Sequence, residues 1–166
     1  MKICNAHFED LPAIIQIYNA SIPSRTATAD TYPISVESRC EWFAKHNPES
    51  RPLWVLEIER EIVAWIGLTS FYGGRPAYNA TAEVSIYVAP QHQGKGYGTM
   101  LVRRMMQHCP NLGVTTLLAM YFDHNHASQQ MFEKLGFQPM GHLPEIAILD
   151  DTKRGLIIAA WKTSQK

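Results

Sequence analysis

The stretch Gln91-His92-Gln93-Gly94-Lys95-Gly96-Tyr97-Gly98-Thr99 constrains this chain more than any other. It follows an alternating segment, Thr81–Val88, and precedes a run of helical periodicity, Thr99 to Cys109. Glycines at alternate positions let the backbone turn sharply and approach a guest closely. Where such a turn opens a helix, successive backbone N–H groups form an anion cradle. A phosphate or pyrophosphate is the natural ligand. Three architectures compete. A dinucleotide-binding Rossmann turn would need a third glycine where Thr99 stands, and would sit in an opening βαβ unit instead of past mid-chain. A P-loop would need Gly-Lys-Ser/Thr after a longer loop, which Gly94-Lys95-Gly96 does not supply. The third is the pyrophosphate loop of an acyl-coenzyme A enzyme.

The rest of the chain reads as mixed α and β, with no repeat, low-complexity tract or long linker. Lys2 to His7 is a strand. Glu9-Asp10 caps a helix with Pro12 in its first turn and Ile14, Ile15, Ile17 and Tyr18 along one stripe. Ser21 to Pro33 lacks periodicity and is a long loop, a length that points to function. Ser35 caps a second helix bearing Val36, Cys40 and Phe43. Leu53 to Ile58 and Ile62 to Phe71 form a hairpin about Glu59-Arg60. In Thr81–Val88, Thr81, Glu83, Ser85 and Tyr87 share one face, and Ala82, Val84, Ile86 and Val88 the other. Thr115 to Phe122 is a strand, and Asn125 to Leu135 a helix stopped by Gly136. Two last strands fall at Phe137 to Leu143 and Leu156 to Trp161. Strands cluster early and alternate with helices late, so the sheet is mixed and the fold class α/β, with one domain spanning residues 1–166.

Composition excludes several functions. Of the 166 residues 46% are hydrophobic and 18% charged, which is the balance of a globular chain. Fifteen basic residues offset fifteen acidic ones, so there is no basic excess of the kind that tracks nucleic-acid phosphates, and a polybasic membrane-surface role is disfavoured. The longest apolar run, Ile62 to Leu68, is too short to span a bilayer. The polar start, with no signal peptide, and three cysteines without ligand spacing (Cys4, Cys40, Cys109) read as a cytoplasmic protein with reduced thiols. His124-x-His126 has no third ligand spaced with it, so no metal is expected.

Gln91-x-x-Gly94-x-Gly96, preceded by the strand Glu83 to Val88, resembles the coenzyme A loop of the GNAT superfamily of N-acetyltransferases. Asn125-His126-Ala127-Ser128 followed by Phe132 and Leu135-Gly136-Phe137 looks like that superfamily's second conserved helix and its ending. Ile17-Tyr18-Asn19, Thr26 to Thr31, Glu41-Trp42-Phe43, Arg75 to Asn79, Thr81 to Val88 and Leu143 to Ala147 are similar to the phosphinothricin acetyltransferase-like subgroup, whose members include methionine sulfoximine and sulfone acetyltransferases. The resemblance covers nearly the whole chain. It implies a central mixed, mostly antiparallel sheet flanked by helices, and acetyl transfer from acetyl-CoA to a primary amine.

The resemblance also implies residue roles. An ammonium must lose a proton before it can attack, and Glu83, the one carboxylate on the strand leading into the loop, is the candidate base. The bland alternative is a Glu paired across the sheet. The backbone of Ile86, Tyr87 and Val88 would meet the acetyl and pantetheine part of the coenzyme where the strand splays from its neighbour. Gln93, Gly94, Lys95, Gly96, Tyr97, Gly98 and Thr99 would hold the pyrophosphate, and Asn125 the coenzyme arm, with an N-cap as its alternative role. The tyrosine that many members use to protonate the leaving thiolate falls on Phe132, so no general acid is assigned. Arg75, Pro76, Ala77 and Tyr78 match the subgroup's substrate loop, with Thr28 and Arg25 as weaker candidates and surface salt bridging as the alternative for the arginines. Family members are commonly homodimers. The leading expectation is an amino-acid N-acetyltransferase. The alternatives are acetylation of a protein or peptide N-terminus, and a non-catalytic acyl-CoA sensor.

Overall fold

The computed structural model describes residues 1–163. Seven strands form one sheet in the order β1-β2-β3-β4-β5-β7-β6. They are β1 (Lys2–Asn5), β2 (Leu53–Ile58), β3 (Glu61–Ser70), β4 (Thr81–Val88), β5 (Thr116–Phe122), β6 (Gln138–Leu149) and β7 (Thr152–Lys162). Among the described residues four α-helices flank it: α1 (Leu11–Ser21), α2 (Cys40–Ala44), α3 (Tyr97–His108) and α4 (His126–Lys134). Every neighbouring pair is antiparallel except β4–β5, which is parallel and joined across α3. The expected mixed, mostly antiparallel sheet is therefore present.

Alternation along the strands sorts side chains between two cores. Val84 on β4, Ile66 and Leu68 on β3, and Leu101, Val102 and Met105 of α3 fill one side. Trp65, Val55 and Leu53 meet Ile14 and Ile17 of α1 on the other, with Trp42, Phe43 and Tyr87 packed around them. Cys109 lies wholly buried in the first core, and burial pushes its thiol up to about 12, so it is inert as a nucleophile.

Some boundaries differ from those read in the sequence. Asp10 stands at the N-cap of α1 but makes no side-chain cap bond; its carboxylate turns back to accept from the His7 N–H, and Phe8–Asp10 form a 3-10 turn. Ser35 does accept from the Ser38 N–H, but that bond opens a 3-10 turn, Glu37–Arg39, ahead of a five-residue α2. Helix α3 begins at Tyr97, two residues early, because Gly96 adopts the left-handed N-cap. The last hairpin is longer than expected. Register shifts between Leu143 and Ala147, with Glu145 at φ +53°, carry β6 past Pro144 to Leu149. Asp150 and Asp151, at φ +45° and +63°, then make a two-residue turn without glycine, as Glu59-Arg60 do at the first hairpin.

Candidate active site

Strand β4 is paired with β3 along its length, from Ser70↔Ala82 to Ala64↔Val88. Its pairing with β5 stops after three positions, the last being Glu83↔Leu118. Beyond that point β5 continues against β7 as far as Phe122↔Leu156. One edge of Val84 to Val88 is therefore free, and a wedge opens between two parallel strands. This divergence is the splay that the sequence resemblance implies.

A cavity of about 640 Å³ fills the wedge. Ile86, Tyr87 and Val88 form one wall, and Gln93, Gly94, Gly96, Tyr97, Gly98 and Thr99 another. Asn125, Ala127, Ser128 and Met131 close it from the β5–α4 side. Every coenzyme-contact residue named from the sequence lines this cavity except Lys95, which is exposed between two left-handed glycines.

The three glycines serve two purposes. Gly94 and Gly96 have φ of +73° and +82°, and an added Cβ at either would meet nothing within 4 Å; their requirement is conformational. Gly98 is helical, and a Cβ there would come within 3.2 Å of Met131 Sδ and 3.8 Å of Val88 Cγ2. It lets α3 lie close on β4 and α4. The first helical bond of α3 runs from the Met100 N–H to the Gly96 carbonyl at 3.0 Å. The N–H groups of Tyr97, Gly98 and Thr99 precede it and have no partner within the helix, which is the donor set and dipole end that suit an anion. Gln93 donates to the Val88 carbonyl at 3.1 Å and ties the loop to the end of β4.

The long loop after α1 crosses the same cavity as a strap, contributing Ser24, Thr26 and Ala27 to its lining. Four successive residues are held by four different side chains. His124 Nε2 donates to the Arg25 carbonyl at 2.8 Å, and Asn125 Nδ2 to the Thr26 carbonyl at 3.0 Å. The Tyr87 hydroxyl donates to the Ala27 carbonyl at 3.1 Å, and Thr28 Oγ1 bonds Tyr18. Asn125 also accepts from the Ser128 N–H at 3.0 Å, so its amide caps α4 and fastens the strap at once. Arg25 is absorbed by an ion pair with Asp150 at 2.7 Å and by the Ile22 and Thr31 carbonyls, the salt-bridging role weighed against substrate binding. That pairing lowers the Asp150 pKa and raises that of Arg25.

Glu83 sits at the last paired position, where the strands part. It is half-buried, and burial raises its carboxyl above the usual range. Among the described residues it has no hydrogen-bond or ion-pair partner, so the cross-sheet pairing weighed for it is absent. Glu83 is not among the residues that line the cavity; a half-desolvated, unpaired carboxylate where the strands part is suited to take a proton. Phe132 is buried between Tyr121 and Phe137, at centroid distances of 5.8 and 4.9 Å, and is a core ring.

The substrate candidates are not gathered with these groups. Pro76–Tyr78 form an exposed 3-10 turn after Arg75, and Tyr78 packs edge-on to Phe71 and Tyr72. None of Arg75, Pro76, Ala77 and Tyr78 lines the cavity. Thr28 is buried and locked between Tyr18 and the Asp30 N–H. The loop from Ser21 to Pro33 does cover the cavity, as its length suggests, but Ser24, Thr26, Ala27, Ala127, Ser128 and Met131 are walls that the sequence reading does not name. Ser128 and Met131 could have been found from helical spacing on Asn125, but the strap carries no periodicity to read. Among the described residues no group of three or more His, Cys, Asp or Glu could hold a metal ion, and no helix is long and apolar enough to cross a membrane.

Comparison with known proteins agrees with this geometry. The model of the Acetyltransferase (GNAT) family matches residues 12–137. A Bacillus subtilis (strain 168) protein named "Putative phosphinothricin acetyltransferase YwnH" is 48% identical over 165 residues, covering 99% of this chain and 100% of its own. An "L-methionine sulfoximine/L-methionine sulfone acetyltransferase" of Pseudomonas paraeruginosa (strain DSM 24068 / PA7) is 29% identical over 147 residues, covering 87% of this chain and 84% of its own. A solved structure described as a "putative phosphinothricin N-acetyltransferase" superposes with a TM-score of 0.94 at 44% identity, over 99% of both chains. The parted strands, the glycine turn and the family match together place the chain in the GNAT family, as an N-acetyltransferase.

Proposed function

We propose that the protein transfers the acetyl group of acetyl-CoA to the α-amine of a small amino-acid-like substrate of the phosphinothricin, methionine sulfoximine or methionine sulfone type. The observation that carries the reading is the parting of β4 from β5 at Glu83, beside a cavity with donors suited to an anion at one end. The names of the relatives support the substrate class.

Acetyl-CoA lies in the wedge in this reading. Its pyrophosphate meets the N–H groups at the start of α3, with Gln93, Gly94, Lys95 and Gly96 around it. Its pantetheine arm follows the free edge of Ile86, Tyr87 and Val88. Glu83 takes a proton from the substrate ammonium, directly or through a water, which frees the nitrogen lone pair. The nitrogen attacks the thioester carbonyl carbon and forms a C–N bond. The tetrahedral oxyanion is met by backbone N–H of the free β4 edge. The C–S bond then breaks, its electron pair leaves with sulfur, and the nitrogen gives up its second proton to solvent or to the departing thiolate. A thiol of pKa about 8.5 leaves acceptably as thiolate, so no dedicated acid is needed. Phe132 offers none. Asn125 acts on the coenzyme side by fixing the strap and the start of α4. Arg75, Pro76, Ala77 and Tyr78 meet the substrate head from the turn before β4, and Thr28 shapes the strap.

The strap across the cavity favours a small acceptor over an extended peptide. A cytoplasmic location and a homodimer complete the reading; the homodimer is supported by the exposed apolar side chains Met140, Leu143, Ile146 and Ile148 on the edge strand β6. The test is release of free thiol from acetyl-CoA against phosphinothricin, methionine sulfoximine, methionine sulfone, ordinary amino acids, polyamines and short peptides. Turnover is expected on the first three. Turnover only on peptides or polyamines would overturn the substrate class, and acetyl-CoA binding with no turnover would favour a sensor.

A further inference from the structure

A second cavity, of about 190 Å³, lies on the α1–α2 side of the sheet. Its walls include Tyr18, Arg39, Trp42, Trp65, Ser85 and Tyr87. Tyr87 also lines the larger cavity, so the two share a wall. Glu83, Ser85 and Tyr87 stand on one face of β4, each about 7 Å from the next. A ligand in the small cavity therefore lies beside Ser85, between the candidate base and the end of the coenzyme cavity.

The walls are rigid and aromatic. Trp65 stacks on Tyr87 with centroids 4.7 Å apart and planes 24° from parallel. Trp42 meets Trp65 at 5.7 Å, and Tyr18 meets Tyr87 at 5.0 Å. Arg39 is the one cation among the described residues of the lining. Its guanidinium is held 5.7 Å from the centre of the Tyr18 ring, and its Nη2 pairs with Asp30 at 3.1 Å. The Tyr18 hydroxyl donates to the same Asp30 carboxylate and bonds Thr28 Oγ1, which fixes the anchor itself. Among the described residues the remaining N–H donors of Arg39 have no partner. A guanidinium fixed by one ion pair, with donors left over at an aromatic cavity, matches a carboxylate in geometry and charge.

We infer that this cavity is the acceptor subsite and that Arg39 binds the α-carboxylate of a free amino acid, with Trp42 and Trp65 against its side chain. This rests on the acetyl-transfer reading and narrows it. The cavity is smaller than the roughly 300–1,000 Å³ of pockets for larger ligands, which suits a single amino acid and not a peptide. A decarboxylated amine or a carboxamide would offer no carboxylate to the N–H donors of Arg39 that Asp30 leaves free. Arg39 is then a specificity residue that no local motif marks.

The experiment compares L-methionine sulfone with its carboxamide, which has an α-amine and the same side chain but no charge. Wild-type enzyme should prefer the acid in kcat/KM by about 100-fold, the size of a doubly hydrogen-bonded charge. Arg39→Gln should lose that preference, chiefly through KM for the acid, with KM for acetyl-CoA unchanged. Arg39→Lys should recover part of it. An unchanged preference in Arg39→Gln, or its loss in Arg75→Gln instead, would overturn the assignment. Tryptophan fluorescence of the wild-type protein gives a readout that does not depend on a variant folding. The acid should give a saturable change that the carboxamide does not, and no saturable change would overturn the site. Saturation with the acid but no acetylation of it would uphold the carboxylate site and sink the acetyl-transfer reading. Acetylation of acid and carboxamide alike would uphold acetyl transfer and sink the site.

Discussion

Glu83 binds its proton more tightly in the folded chain than in the unfolded one, because burial disfavours the charge. Two opposite consequences follow from that one shift. Its contribution to stability is fully present below the unfolded carboxylate pKa and is lost as pH rises through the folded value. Its proposed work as a base needs the ionised form, so the acid limb of the pH–rate profile should lie above the ordinary Glu value. Glu83→Gln should cut kcat by roughly 10²–10⁴. The same substitution should leave the melting temperature at pH 8 unchanged or raised. A profile without that limb, or a Gln variant as active as wild type, would remove Glu83 from the mechanism. His46 gives a second pH effect of opposite sign. It is partly buried against Gly67, and desolvation lowers its pKa. Its share of stability is present above the unfolded value of about 6.5 and is lost as pH falls through the folded value. His46→Gln should flatten the acid side of a plot of melting temperature against pH.

At the scale of elements, the glycine turn and the strap can be tested separately. Gly96→Ala places a side chain at φ +82°, with no steric neighbour to complicate it. It should cost about 1–2 kcal/mol in chemical denaturation and weaken acetyl-CoA binding in calorimetry. Asn125→Ala removes both the α4 cap and the bond to Thr26, for about 1–2 kcal/mol, and should increase hydrogen exchange in the strap. How much was readable follows the range of the interactions. Gly94, Gly96 and Glu83 were legible because a turn and an alternating strand are local patterns, and the resemblance extended them to Asn125 and the splay. The length of the loop from Ser21 to Pro33 pointed to a cover over the site, but the bonds that fasten it were not legible, because they reach across the chain: His124 to Arg25 and Asn125 to Thr26 each span 99 residues. Arg39 was unreadable for the same reason, since its partners Tyr18 and Asp30 meet it only when α1 and the loop pack against the sheet. The full length of β6 was hidden by Pro144, which interrupts the alternation without ending the strand.

For the whole molecule, the sheet divides the work between its two sides. The larger cavity opens along the free edge of β4, the small aromatic one lies on the α1–α2 side, and Tyr87 borders both. In the proposed reading the two substrates reach one strand by different routes, as a direct transfer between them requires. The most direct test of the account is hydrogen exchange of the protein with and without acetyl-CoA, read by mass spectrometry. The account predicts protection concentrated in residues 84–99 and 125–131, with the strap slowed as well. Protection elsewhere, such as beside the separate cavity at Trp54 and Arg104, with residues 84–99 unchanged, would contradict it.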